Sequence, residues 1–257
     1  MSFSQGSAMS LSDSPELRLI LIGEKEAGKS AAGNAILGKK AFDAVGMRTR
    51  ASLQNQAVVR GQLLTLVDTP GWEWFSLRGT PASSSAVRRE MVAGSAELCQ
   101  PGAHGLLLVV PLAYSFGERE RQAAEEHVEM FGQRAWCHTL VLFTIFDRRR
   151  LRDSSLEEEV EDNDELQALV DKCGGRYHAM YGKPRRGEDL VGELLGKIQG
   201  MVEGKRWSTA PQSGDPAGGQ EDGRGGGAEG RGGEDGEREG AEEDEGVTEA
   251  ARGGGRC

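Results

Sequence analysis

Along the chain, short runs of consecutive apolar residues alternate with stretches whose apolar positions recur every three or four residues. Leu17–Ile22 (LRLILI), Gln62–Asp68 (QLLTLVD), Gly105–Leu112 (GLLLVVPL) and His138–Phe146 (HTLVLFTIF) are runs of the first kind. Such uninterrupted apolarity over six to nine residues predicts strands buried on both faces. Leu53–Arg60 (LQNQAVVR) is more polar and predicts an edge strand. The periodic stretches predict helices over Lys29–Leu37, Ala82–Leu98, Gly117–Phe131, Leu156–Lys172 and Glu188–Val202. Strands alternating with helices over about 190 residues imply an α/β fold with a mostly parallel sheet covered on both faces, and such sheets take ligands beyond the carboxyl ends of their strands.

The pattern fails at both ends. Residues 1–15 are rich in Ser, with neither a basic start nor an apolar core, and predict a disordered leader. From residue 206 to 257 the chain is a Gly/Glu/Arg-rich low-complexity tail. Its last 47 residues hold 16 of the 38 glycines and no aromatic, so they bury too little apolar surface to offset the entropy of ordering. The folded part is therefore expected over 16–205. Charge divides likewise. The chain carries a formal −10, of which the final 47 residues, with 13 acids and 5 arginines, supply −8. A near-neutral body beside an acidic tail argues against nucleic acid as a partner. No run of about 18 apolar residues predicts a transmembrane segment. Cys99, Cys137, Cys173 and Cys257 stand singly, which suggests neither a zinc site nor a disulfide framework and fits a cytoplasmic location.

The candidate chemistry begins where the first strand ends. Gly23-Glu24-Lys25-Glu26-Ala27-Gly28-Lys29-Ser30 satisfies G-x-x-x-x-G-K-[ST] between a predicted strand and a predicted helix. The two glycines let the backbone curl so that amides converge on phosphate oxygens at the positive end of the helix. Lys29 would bridge the outer phosphates, and Ser30 would place its hydroxyl on Mg²⁺. Some 40 residues on, Asp68-Thr69-Pro70-Gly71 closes another strand. Paired with the phosphate loop, Asp68 becomes a candidate Mg²⁺ group and the Gly71 amide a candidate reader of a γ-phosphate. Between the two motifs a switch hydroxyl is expected on the metal, Thr49 rather than Ser52. Thr144-Ile145-Phe146-Asp147 ends a later strand in partial agreement with [NT]-[KR]-x-D, making Thr144 and Asp147 the candidate guanine readers, with Ile145 where a cation is usual. GTP or GDP with Mg²⁺ is the expected ligand.

Longer strings add a resemblance. Gly33-Asn34-Ala35-Ile36-Leu37-Gly38-Lys39-Lys40-Ala41-Phe42, Val67–Trp72, Pro101-Gly102-Ala103-His104-Gly105 and Lys172-Cys173-Gly174-Gly175-Arg176-Tyr177-His178 are similar to those of the immunity-associated protein (IMAP) GTPases. The resemblance spans about Leu17–Lys205. It implies a three-layer, Ras-like P-loop G domain with a six-stranded, mostly parallel sheet, nucleotide-controlled dimerisation and a role in immune cells. Where the family carries Gly-Arg-[Tyr/Phe]-Thr, whose Arg acts across the dimer in some members, this chain has Tyr114. Where the family has Phe-Asn-Asn near the base, it has Met180-Tyr181-Gly182. Trp72 follows Gly71 in the place of a water-orienting Gln. Arg78, Arg88, Arg89, Arg119 and Arg121 are the remaining cations considered as substitutes. The expectation is a guanine-nucleotide switch with slow or absent hydrolysis that self-associates. The alternative is a degenerate G domain acting as a scaffold.

Overall fold

In a computed structural model of the chain, the described residues are 16–44, 49–73, 83–112, 116–132, 134–152, 154–182, 185 and 187–204. The expectations placed on the leader, the tail, Arg78 and Tyr114 fall outside them.

The elements run β1 (Leu17–Gly23), α1 (Lys29–Leu37), β2 (Leu53–Val59), β3 (Gln62–Asp68), α2 (Ser85–Arg89), a π-helical turn (Glu90–Gly94), α3 (Ser95–Leu98), β4 (Gly105–Pro111), α4 (Glu118–Glu129), β5 (Thr139–Ile145), α5 (Leu156–Glu161), α6 (Asp164–Lys172), β6 (Tyr177–Tyr181) and α7 (Leu190–Val202). The strands form one six-stranded sheet in the order β2-β3-β1-β4-β5-β6. Only β2 runs antiparallel, pairing with β3 across a tight turn in which Arg60 and Gly61 both take positive φ (51° and 80°). This is the Ras-like G-domain architecture that the family resemblance implied.

Strand period two divides the core. Ile20, Ile22, Val67, Leu108 and Phe143 pack on one face with α2–α6, and Leu19, Leu21, Leu66, Leu107 and Leu142 on the other with α1 and α7. Because both faces are covered, β1, β4 and β5 are almost wholly buried, as their unbroken apolarity requires.

Several family-like strings have local physical causes. Asn34 donates from Nδ2 to Phe42 O (2.9 Å) and accepts at Oδ1 from the amides of Ala41 and Phe42 (both 2.7 Å), tying the loop back onto α1. A Cβ on Gly33 would meet the Phe42 ring at 2.8 Å. Arg176 is buried and donates to Trp136 O and Thr139 O (2.7 and 3.1 Å), fixing the start of β6 to the start of β5. His104 accepts the Arg18 amide at Nδ1 (2.9 Å).

Two expectations change. The helix expected over Leu156–Lys172 is two, because Asn163 accepts the amides of Glu165 and Leu166 (both 3.0 Å) and starts α6 anew. The helix expected over Ala82–Leu98 contains the wide turn at Glu90–Gly94, where Glu90 accepts the Ser52 amide at Oε1 (2.9 Å) and the Ser52 hydroxyl at its carbonyl (2.8 Å). Cys99 and Cys173 are free and buried.

Candidate functional site

β1 and α1 are joined by a curl of backbone that brings helix-start amides to the carboxyl edge of the sheet. Gly23 closes β1 so near its neighbour that a Cβ would lie 2.5 Å from Val109 O. Glu26 and Gly28 both take left-handed φ (67° and 92°), turning the chain so that amide groups face one hollow. The cradle is narrower than the whole stretch Gly23 to Ser30. Lys25 N donates to Trp72 O (2.6 Å), and Ala27 N to Glu24 O (3.3 Å). The first bond of α1 runs from Ala32 N to Gly28 O (2.8 Å), so the amides of Lys29, Ser30 and Ala31 emerge from the helix end, where its dipole favours an anion.

Lys29 is buried, its ammonium donating to Glu24 O (2.8 Å) and Gly23 O (3.2 Å). Burial pushes its pKa down to about 8, against the opposing pull of Asp68 and Glu24. Asp68, at the end of β3, is 1% exposed. Its Oδ2 accepts the hydroxyls of Ser30 (2.6 Å) and Thr49 (3.3 Å), while the buried Oδ1 has no hydrogen-bond partner. Burial raises its pKa, and the Ser30 hydroxyl and Lys29 oppose that rise. A buried carboxylate oxygen without a donor is costly. Together with two hydroxyls on its twin oxygen, it is the donor set that a hard divalent cation accepts. Ser52, engaged with Glu90, is not part of that set.

Gly71 lies against the loop. A Cβ there would come within 2.7 Å of both Lys25 N and Lys29 Nζ and 2.8 Å of Glu24 C. Glu24 and Trp72 form a parallel bridge beside it. These parts enclose a cavity of about 390 Å³ lined by Lys25, Glu26, Gly28, Lys29, Ser30 and Ala31, with Asp43, Ala44, Thr49, Gly71 and Phe146. A larger hollow of about 670 Å³ lies by the starts of β4 and β5, but its walls are mostly apolar and it gathers no comparable set of charged groups.

At the far end of the site the expected base readers stand differently. The Thr144 hydroxyl donates to Ala27 O (2.6 Å), bracing the phosphate loop from β5. Asp147 is exposed, and its Oδ1 accepts the Arg149 amide (2.9 Å), capping the short 3₁₀ turn Arg148–Leu151. Ile145 is buried at 1% exposure. Phe146, not singled out by any sequence motif, is 59% exposed and forms the cavity wall beside Gly28, where a Cβ would be 3.1 Å from its ring. Arg148 lies over the Tyr181 ring (3.8 Å to the centroid) and pairs with Glu188. Among the candidate catalytic arginines, Arg88 pairs with Glu126 (2.7 Å), and Arg121 pairs with Glu125 and Glu165.

Residues 17–209 match the AIG1 family. Over 197 residues the chain is 32% identical to GTPase IMAP family member 8 of Mus musculus, covering 74% of this chain and 26% of that protein. It is 32% identical over 170 residues to Immune-associated nucleotide-binding protein 12 of Arabidopsis thaliana, covering 65% of this chain and 42% of that protein. The chain thus spans less than half the length of either relative. Among solved structures, Toc33 from Arabidopsis thaliana in complex with Mg²⁺ and GMPPNP shares the fold, with a TM-score of 0.53 at 15% identity over 76% of this chain and 88% of that one.

Proposed function

The chain belongs to the AIG1 family, and from that premise we propose that it is a guanine-nucleotide switch. The observation that carries this reading is the constellation around Asp68: a buried carboxylate with one oxygen on Ser30 and Thr49 and the other without a partner, beside Lys29 and the open end of α1.

The residues fit a magnesium triphosphate. Asp68, Ser30 and Thr49 would hold the cation, which when bound offsets phosphate charge. The Lys29 ammonium would exchange the carbonyls of Gly23 and Glu24 for phosphate oxygens, a charge-assisted bond in place of two neutral ones. The amides of Ser30 and Ala31 would take the inner phosphates, and the Gly71 amide the outermost. Asp147 would accept from the guanine edge once it leaves the Arg149 amide.

Hydrolysis is proposed to be slow. The residue after Gly71 is Trp72, 4% exposed, whose ring carries no amide with which to orient water. Arg88 and Arg121 are committed to carboxylates. An arginine finger alone contributes roughly 10³–10⁵ in rate. The switch would therefore reset slowly and act by what it binds, a second copy of this chain being the favoured partner. The names of its relatives support an immune setting. Among the described residues no helix is long and apolar enough to cross a membrane, and a cytoplasmic site is proposed.

A second reading is favoured by the base end of the site. With Ile145 buried and Asp147 capping a turn, the domain would serve as a scaffold that holds nucleotide weakly or permanently. Calorimetric titration with GTP, GDP and ATP, each with Mg²⁺, separates the two. Tighter binding of both guanine nucleotides than of ATP is expected, and equal or undetectable affinity for all three removes the guanine assignment.

A further inference from the structure

α4 carries one titratable side chain that the nucleotide site does not use and that is sealed from solvent. His127 is 0% exposed. Its Nδ1 lies 2.6 Å from the carbonyl oxygen of Ala123, one turn earlier in the helix. A carbonyl only accepts, so Nδ1 carries the proton, and Nε2, 2.6 Å from Ser83 Oγ, accepts the Ser83 hydroxyl. Burial holds the imidazole below its ordinary pKa, which agrees with a neutral ring. Ser83 Oγ in turn accepts from Arg88 Nε (3.2 Å), whose guanidinium pairs with Glu126 on α4. The imidazole plane is thereby fixed from both of its nitrogens.

Against that fixed plane lies the ring of Trp72, stacked with centroids 4.2 Å apart and planes 17° from parallel. Trp72 is also held through its main chain, where its carbonyl accepts Lys25 N (2.6 Å). It follows Gly71 directly, and consecutive Cα atoms are separated by a fixed distance of about 3.8 Å. Whatever sets Trp72 sets Gly71. The close approach of Gly71 to Lys25 N and Lys29 Nζ leaves little tolerance for displacement. Ser83, joined to the same imidazole, stands on the other side of residues 74–82 in sequence, so His127 engages the chain both before and after that stretch.

Resting on the switch reading, we propose that His127 is a positioning residue that holds Gly71, through Trp72, where a third phosphate is read, and thereby sets the preference for triphosphate over diphosphate. His127 is not among the residues that line the cavity. Its effect therefore falls on the one part of the ligand that Gly71 meets. A residue that merely fills the core would, on removal, weaken both nucleotides alike.

The test uses the full chain. Equilibrium affinities for GMPPNP·Mg²⁺ and GDP·Mg²⁺ are measured on the wild type, His127→Ala, His127→Phe and Ser83→Ala. His127→Ala is expected to weaken GMPPNP roughly tenfold, the scale of one aromatic contact with its anchoring hydrogen bond, while GDP changes by less than about twofold. Ser83→Ala should shift the ratio the same way by a smaller factor. Should His127→Ala melt early, His127→Phe keeps an aromatic ring in place without the two nitrogens, and it is expected to lose part of the same preference. In a background with Trp74, Trp136 and Trp207 changed to Phe, the emission of Trp72 should shift to the red in His127→Ala before any nucleotide is added. An unchanged GMPPNP-to-GDP ratio in both His127 variants overturns the role of His127 while leaving the switch reading intact. A wild type that binds neither nucleotide overturns the switch reading, and this coupling with it.

Discussion

The two ends of the proposed nucleotide site are built on different physical terms. At the phosphate end the groups that would meet phosphate and metal are buried or half-buried and tied to the core: Lys29 to loop carbonyls, Ser30 and Thr49 to Asp68, Gly71 against the loop backbone. At the base end Phe146 and Asp147 are exposed, and the nearest order is a surface arrangement of Arg148, Glu188 and Tyr181. A grip on phosphate would be part of the fold, whereas a reading of the base would be laid on its surface. Affinity should therefore depend on the first region and selectivity on the second, and the two should be separable.

The strongest way to break that division is Lys29→Ala. It removes a charge-assisted contact worth about 1.5–3 kcal/mol and also strips the donors from Gly23 O and Glu24 O. GTP and GDP should both weaken by roughly a hundredfold with their ratio to ATP unchanged, as read by calorimetry. A selective loss of guanine nucleotides would show that the two ends are not independent.

Proton linkage gives a milder probe of the same region. Phosphates bind the ammonium form of Lys29, whose pKa burial has brought down to about 8. Nucleotide affinity should be level below that pH and fall above it, by at most about tenfold per unit, with proton uptake detectable from the buffer dependence of the binding heat. Ligand-free stability should move the opposite way. The folded lysine holds fewer protons than the unfolded one between about 8 and 10.5, so its contribution to stability improves as pH rises through that window. Lys29→Met should abolish both trends.

The smallest effect is expected at the surface end. Asp147→Asn should reduce the preference for GTP over ATP by roughly threefold to tenfold while leaving ATP affinity alone, because a solvated carboxylate contributes modestly. Competition binding between the two nucleotides measures it. A drop in ATP affinity as well would mean that Asp147 supports the phosphate end through its turn.

The same contrast explains what could be read in the residues beforehand. The phosphate loop was legible because its chemistry forces fixed spacing: Gly28 must take left-handed φ, and Lys29 and Ser30 must follow at the helix start. The buried strands were legible because burial on both faces leaves no room for alternation. β6 was harder, since its half-exposed residues alternate with buried ones over only five positions. The break at Asn163 depends on a side chain capping its own backbone, which competes locally with helix continuation. His127 was out of reach altogether. Its partners Trp72 and Ser83 lie 55 and 44 positions away in the chain, and no periodicity encodes a stack between two rings brought together by the sheet.

The wide turn at Glu90–Gly94 carries one more consequence. A π-turn accommodates an extra residue without rotating the helical segments before and after it. Ser85–Arg89 and Ser95–Leu98 thus have a reserve of length between them. A single-residue deletion there would be absorbed as an ordinary α-turn, sparing both flanks. What it would forfeit is the reach of Glu90 to Ser52, and with it the mooring from which Thr49, three positions upstream, reaches Asp68.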